Sequence, residues 1–588
     1  MADIVTALKQ VGQLVEIDRQ RTEHSLFGVI NRHIERLRTR LRDRRPVHSD
    51  GHRPHRTRLV EIAPVGGWRH AQLRKTRRHG RVGDRRCRAG VAAAPEVCLA
   101  VSTIGRKAVM TSARTSANPL GSRDDSQGVR PIAGVIEVDE ASFRGPVLSP
   151  GDPGYDLYRR IWNGSFDKHP AVIVRCAGVS DVIAGVRLGR GSGLPVAVRS
   201  GGHSFAGLSV ADGALMIDLS LMKGVRVDPE KRTARVQAGV LLGELDRETQ
   251  AFGLAVPSGI VTHTGVAGLT LGGGIGWIMR KHGLSVDQLV SVDLVTADGE
   301  FVRASAEENP DLFWGVRGGG GNFGIVTEFE FRCVPLGTQV LAGPVFWAME
   351  HSAEVLRFYR DWVADAPDEL MTIVVHRKAP PLPFVPTELH GKPVVMVICC
   401  WVGDLEEGEK FIRPLRMFGS PAADLCLPQP YLTHQAMFDP GFLPGRWYYY
   451  KSCDVAELSD EIIDITVERS LQIESPLTSF PIWQMGGAVG RVGDEDTAFN
   501  GRSAGFTYNI GACTETSVGF DKEREWVRDF WSALEPWHKG VYVNFLGDEG
   551  PQRVRQSYGP EKYDRLQAVK RKYDPDNFFR INQNVSPS

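Results

Sequence analysis

From about residue 170 the chain alternates short apolar runs with segments of helical period. Ala171-Val-Ile-Val-Arg175 predicts a buried strand, Ser180 the N-cap of a helix over Asp181 to Arg190, and Gly191 its end. Pro195-Val-Ala-Val-Arg199 predicts the next strand, and Glu328-Phe-Glu-Phe-Arg332 alternates strictly, as a half-buried strand does. Further on, Ala353 to Arg360 reads as a charged helix. Pro393 to Val402, the longest apolar run, has the length of a strand and falls far short of the ~18 residues that span a bilayer. Near the C-terminus Pro560 opens a helix that carries Tyr563, Leu566, Val569 and Tyr573 along one side, and Asp574-Pro575 stops it. Before residue 110 the pattern is absent: a stretch such as Gln72 to His79 has no sustained apolar period.

Charge divides the chain at the same place. The 588 residues carry 71 Lys plus Arg against 70 Asp plus Glu, yet residues 1–109 hold 24 bases and 10 acids, a net of +14, which leaves a net of −13 for the remainder. Of those 24 bases 21 are arginine. The basic segment is therefore expected not to form a packed domain. Three readings compete for it: a nucleic-acid or polyanion-binding tail, a transit peptide, and an extension translated upstream of a working start at Met110. The third is favoured, because the segment lacks the interleaved aromatics of a nucleic-acid module and is long for a transit peptide.

The nine cysteines include no Cys-x-x-Cys pair, and the histidines no metal-ligand spacing, so neither a disulfide framework nor a metal centre is expected. A reduced, cytoplasmic setting follows, with no membrane association.

Candidate chemistry lies in three glycine-rich loops. The strand ending at Arg199 runs into Ser200-Gly201-Gly202-His203-Ser204, where two glycines allow a sharp turn that brings successive N–H groups onto an anion, with Arg199, Ser200 and Ser204 as further donors. Pro257 to Trp277 holds seven glycines in twenty-one residues, among them Gly265, Gly268, Gly272, Gly273, Gly274 and Gly276. A dinucleotide fingerprint fails there because Trp277 stands where the third glycine belongs. Such density fits a flat, extended ligand lying against backbone. The third loop, Asp311 to Thr327, includes Gly318 to Gly321, Gly324 and Ile325.

In this order and spacing, with Val541-Tyr-Val-Asn-Phe545 and Asp574 to Asn584 at the C-terminus, the loops resemble the FAD-binding domain of the vanillyl-alcohol oxidase superfamily, in its berberine-bridge-enzyme-like branch of FAD-linked oxidases. The resemblance implies an α+β protein: a PCMH-type FAD-binding domain of two α+β subdomains over 130–335, an α+β substrate domain with an antiparallel sheet over 336–537, and a C-terminal segment, 538–588, that returns to the first. It implies His203 as the covalent attachment point of the flavin, Arg199 to Ser204 around the pyrophosphate, the Gly265–Gly276 and Gly318–Ile325 loops against the flavin, and Asn582 near it. Relatives with a second flavin bond place a cysteine two residues after the glycine matching Gly259. Val261 stands there, so one covalent bond is expected. Thr264, nearly isosteric with the valine of oxidases, favours oxygen access.

For catalysis the resemblance points to Tyr542 as the base and Asn544 as a residue that places substrate or flavin. The glutamate of a Gly-Gly-x-x-x-Glu pattern maps onto Arg491, which would suit an anionic or hydroxylated substrate. If Arg446 to Ser452 is a strand, Trp447, Tyr449 and Lys451 share one face, and with Lys451 that face lines a pocket for a polar ring. The expected activity is oxidation of a small alcohol, sugar or secondary metabolite, with molecular oxygen or another electron acceptor. A flavin dehydrogenase and a flavin-binding protein of little turnover are the alternatives.

Overall fold

The computed structural model describes residues 129–132, 136–381 and 385–588. The expectations for residues 1–109 and Met110 lie outside them.

Two larger sheets are built before residue 335, besides the two-stranded pairs Val129–Ile132 with Ile136–Asp139 and Leu254–Ala255 with Val334–Pro335. In a four-stranded one, Val172–Arg175, Leu215–Asp218 and Val196–Arg199 run parallel, with Val147–Leu148 added antiparallel at the edge. All three parallel strands bury successive apolar residues, and therefore both faces, as parallel sheets require. The helix Val179–Ser192 covers one face and ends at Gly193, whose φ of 68° suits glycine alone at low cost. It begins one residue before the expected N-cap, Ser180. The reason is Asp181, whose fully buried carboxylate turns back to accept the amide N–H groups of Ala177, Gly145 and Arg144 and so holds the helix start against the preceding loop. The second sheet is antiparallel, in the order Phe301–Ser305, Leu289–Val295, Ile325–Arg332, Thr233–Gln237, Val225–Asp228. Ile325–Arg332 contains the alternating segment, with Phe329 and Phe331 buried and Glu330 facing Arg235 and Arg303.

After residue 335 the chain builds a larger antiparallel sheet, in the order Ala423–Asp424, Gln339–Ala348, Pro393–Trp401, Leu370–Lys378, Ser479–Gln484, Phe506–Thr514, Trp447–Val455, with Leu427–Pro430 also paired to Gln339–Ala348. Period-two alternation is visible in its burial. On Pro393–Trp401, Val394, Met396, Ile398 and Cys400 join the core shared with the flanking glycine loops, while Val395, Val397, Cys399 and Trp401 join a second core beneath the helices Ser352–Val363, Leu405–Met417, Asp460–Ser470 and Phe520–Ala533. Both faces are covered, which is why this stretch reads as one continuous apolar run.

The same alternation reverses the expected face of Trp447–Val455. Trp447 meets Phe520 edge-on, Tyr449 accepts from Arg528, and Lys451 lies 4.0 Å over the Trp531 ring in an ion pair with Glu549, so these residues belong to the helix layer. Tyr448 and Tyr450 point the other way. The cause is the helix Phe520–Ala533, whose aromatic side chains claim the odd positions.

The described cysteines are free and buried. No helix among the described residues is long and apolar enough to cross a membrane.

Candidate active site

One cavity gathers most of the glycine loops. Its walls come from Ser200–Phe205, Gly259–Val261, Thr264–Leu271, Gly320–Val326, the sheet residues Pro481, Trp483 and Asn509, and the C-terminal residues 542–546, Phe579, Ile581, Asn582 and Gln583. Glycine brings the first two loops into contact: a Cβ on Gly201 would stand 2.3 Å from the Gly265 amide nitrogen, and one on Gly265 2.4 Å from that of Gly201. Gly202 has a φ of 70°, in the left-handed region where other residues are strained. Four successive amides, those of Gly201, Gly202, His203 and Ser204, have no acceptor among the described residues. Such a run of unpaired donors is an anion nest.

Among the described residues no Asp, Glu, Lys or Arg side chain lines the cavity. A diphosphate therefore meets amide donors and no repelling carboxylate, while a flat ring system meets apolar walls such as Ile260, Val261 and Leu269. On these observations the residues fit FAD.

His203 opens into the cavity on one edge. Its Nε2 is 2.7 Å from His263 Nδ1, and its ring stacks on Trp162 at 4.7 Å between centroids. Burial, with His263 adding, holds its pKa well below the ordinary value, so the imidazole is neutral. Trp162 stacks in turn on Tyr448, 3.9 Å away, and Phe205 on Tyr450, 4.1 Å away, so the even residues of Trp447–Val455 support the wall.

Tyr542 lies at the junction of the C-terminal segment with the glycine loop. Its hydroxyl oxygen accepts from the Gly274 amide at 2.9 Å and from Asn544 Nδ2 at 2.8 Å. Burial pushes the phenol up to about 12 against the pull of those donors. Asn544 also donates to the Leu269 carbonyl at 2.9 Å. Its amide is thus occupied in holding Tyr542 to the loop, a different task from the expected placement of a ligand.

The other expected residues divide between the cavity wall and its surroundings. Arg199 braces the anion loop from behind, donating to the Tyr158 carbonyl, and its guanidinium would meet a Cβ on Gly202 at 3.2 Å. Ser200 Oγ is spent on the Ala238 carbonyl at 2.6 Å. Ser204, Gly265, Gly268, Gly324, Ile325 and Asn582 line the cavity, and around Gly268 a Cβ would meet nothing within 4 Å. Gly272, Gly273, Gly274 and Gly276 do not line it: their added Cβ atoms would strike Asn544, Phe499, Ser285 and the Ser258 carbonyl. They let protein pack on protein and bring Tyr542 close. Arg491 is 60% exposed and paired with Asp368 at the surface, and Lys451 is held by Glu549, so neither meets a ligand in the cavity. Replacing Arg491 with Ala is expected to leave turnover unchanged; a steady-state assay checks it.

Among the wall residues with no assigned part in the sequence reading are Trp162, Trp483 and Asn509. Trp483 and Asn509 sit on one face of adjacent strands, where Trp483 pairs with Thr507 and Ile482 with Tyr508. The period-two phase of those strands, set against the helices behind them, is the signal that finds them.

Comparisons with known proteins agree with this geometry. Residues 170–305 match the FAD binding domain family and residues 541–586 the berberine and berberine-like family. An FAD-linked oxidoreductase of Bacillus subtilis is 32% identical over 460 residues, covering 76% of this chain and 98% of that protein. The (R)-6-hydroxynicotine oxidase of Paenarthrobacter nicotinovorans is 31% identical over 471 residues, covering 76% and 97%. The crystal structure of 6-hydroxy-D-nicotine oxidase from Arthrobacter nicotinovorans superposes with a TM-score of 0.70 at 30% identity, covering 76% of this chain and 99% of that one. With its α+β sheets, its glycine loops around one charge-free cavity and these relatives along nearly their whole length, the chain belongs to the berberine-bridge-enzyme-like FAD-linked oxidases of the PCMH-type fold.

Proposed function

We propose that this chain oxidises a small alcohol, sugar or secondary metabolite by hydride transfer to FAD, with dioxygen as the acceptor, and that the flavin is held by one covalent bond to His203. The observation that carries the reading is that His203 and Tyr542 line the same cavity, which has no charged side chain in its wall. In this reading residues 130–335 hold the flavin, 336–537 furnish the sheet that covers it, and 538–588 return Tyr542 and Asn582 to the first part. The free cysteines suit a cytoplasmic setting.

When bound, FAD supplies the two-electron acceptor for hydride from a substrate carbon. The chain's own groups do the rest. Amides of Gly201 to Ser204 bind the diphosphate. Neutral His203 offers a nucleophilic nitrogen to the ring substituent it meets. Trp162, Phe205 and Phe545 exclude water, and Tyr542 stands ready to take the substrate proton. Thr264 also lines the cavity and leaves a small side chain on the path that oxygen would use.

The test is direct. Acid precipitation of the purified protein is expected to give a yellow pellet with no free FAD in the supernatant, and digestion to give one flavinyl peptide, containing His203 and excluding Val261. A colourless pellet would contradict the covalent link; a second flavinyl peptide would contradict the single bond. Consumption of oxygen during turnover is expected, whereas reduction of a dye with no oxygen uptake would make the enzyme a dehydrogenase.

A further inference from the structure

The His203–His263 hydrogen bond has a feature that the attachment reading alone does not use. His203 is fixed on two sides. Trp162 stacks on one ring face with an interplanar angle of 18°, His263 Nδ1 occupies Nε2 at 2.7 Å, and the remaining edge faces the cavity. His203 Nδ1 has no hydrogen-bond partner among the described residues. His263 does not line the cavity, and its own Nε2 is buried without a partner. Beside it Asp439 accepts the Thr262 amide at 2.8 Å and the Thr262 hydroxyl, which places a carboxylate next to His263.

A neutral imidazole that is alkylated on one nitrogen while the other still carries hydrogen becomes a cation, and a cation facing a wall free of charge is costly. The cost disappears if the second nitrogen passes its proton to a neighbour already in hydrogen-bond contact. Here that neighbour is His263, whose pKa burial lowers while the negative charge of Asp439 pulls it partly back up.

We propose that His263 is the positioning residue for flavin attachment: it holds the Nε2 edge of His203, leaves Nδ1 as the nitrogen that bonds to the flavin, and takes up the Nε2 proton as that bond forms. The proposal rests on the reading that His203 is the attachment residue. In the step, one C–H bond of the isoalloxazine 8α-methyl group is replaced by a C–Nδ1 bond. One proton leaves the methyl carbon, one leaves His203 Nε2, and the two electrons released pass to dioxygen, which with two protons becomes hydrogen peroxide.

Two measurements test it on the full-length chain. First, the aminoacyl flavin released by exhaustive digestion of the wild-type protein is examined by NMR: linkage through Nδ1 is expected, and linkage through Nε2, the atom engaged with His263, overturns the proposal. Second, His263→Asn keeps an acceptor near the Nδ1 position but cannot hold a proton. Reconstituted with FAD, it is expected to bind the cofactor, seen as flavin absorbance that migrates with native protein, yet to form the acid-stable bond about 10²–10⁴-fold more slowly than wild type, the range for loss of a general base. His263→Ala is expected to show the same defect, relieved by added imidazole, which a merely structural role would not be. Wild-type rates in either variant overturn the role of His263 and leave His203 standing. A wild-type protein that releases all its FAD in acid overturns the reading beneath, and His203→Ala, expected to form no bond at all, marks that difference.

Discussion

Replacing Tyr542 with Phe is expected to slow substrate oxidation about 10²–10⁴-fold, the loss typical of a removed general base. The ring itself should stay in place, since Phe keeps the packing of Tyr542 against Phe499 and Phe545 at 5.9 and 4.8 Å between centroids. What goes is one oxygen that accepts two N–H donors, and with it the partner of the Gly274 amide. Leaving a buried donor unsatisfied costs about 1–3 kcal/mol of stability, so the variant should fold, with a lowered melting temperature. The pH profile separates the roles. With the phenol pushed up to about 12, its ionised fraction rises tenfold for each pH unit below that value, and a base acting as phenolate makes the wild-type rate climb with pH through the alkaline range. The Phe variant should lose that climb. Anaerobic stopped-flow bleaching of the flavin measures both, and an unchanged rate in the variant would rule Tyr542 out.

How much of this site was legible in the sequence depends on which physical constraint carried each residue. Glycine loops are local: a turn that needs φ above zero, as at Gly202, or backbone contact, as between Gly201 and Gly265, shows itself in the residues at that position. His203 and Tyr542 stand in such loops or in short distinctive motifs, and the cavity brings them together. Distances between loops are not local. Nothing in the spacing of Gly272 to Gly276 tells a flavin-facing glycine from one that admits Asn544, Phe499 or Ser285, because the object that fills the missing side-chain space comes from far along the chain. Strand phase was the other blind spot. The stretch Trp447 to Lys451 is polar or aromatic at every position, so its alternation carries no label for inside and outside until the helix Phe520–Ala533 takes one face. Arg491 failed for a related reason, since a pattern match transfers a residue's identity without its burial, and Arg491 sits at the surface with Asp368. His263 was in plain view between two threonines, but only the 2.7 Å approach to a residue sixty positions earlier distinguishes it from a structural histidine.

The C-terminal wall of the cavity depends on one buried cation, and breaking it is the second large effect. Lys570, on the helix Pro560–Tyr573, is fully buried, as is its partner Asp574. Its three ammonium hydrogens have three acceptors, Asp574 Oδ2 at 2.6 Å, the Asn322 carbonyl at 2.8 Å and the Phe579 carbonyl at 2.9 Å. Asp574 is equally committed, accepting the amides of Phe578 and Phe579 at 2.7 and 2.8 Å. Burial lowers the Lys570 pKa, and the Asp574 carboxylate opposes that shift. Asn322 and Phe579 both line the cavity, one from the third glycine loop and one from the tail, and Lys570 ties them together. Replacing Lys570 with Met removes the cation, keeps most of the side-chain volume, and leaves the Asp574 carboxylate buried with no counter-charge; the expected cost is about 3–5 kcal/mol. Asp574→Asn in the Lys570→Met background removes the stranded charge while retaining an oxygen for one of the two amides, and should recover part of the loss, because much of the single-variant penalty is the unpaired ion. Urea unfolding followed by tryptophan fluorescence gives both differences. A Lys570→Met protein as stable as wild type would mean that the tail is held by its apolar side, Tyr563, Leu566 and Val569, with the ion pair contributing nothing. The flavin provides an independent reading: with Asn322 and Phe579 no longer tied, the single variant should retain less FAD after purification than the double variant.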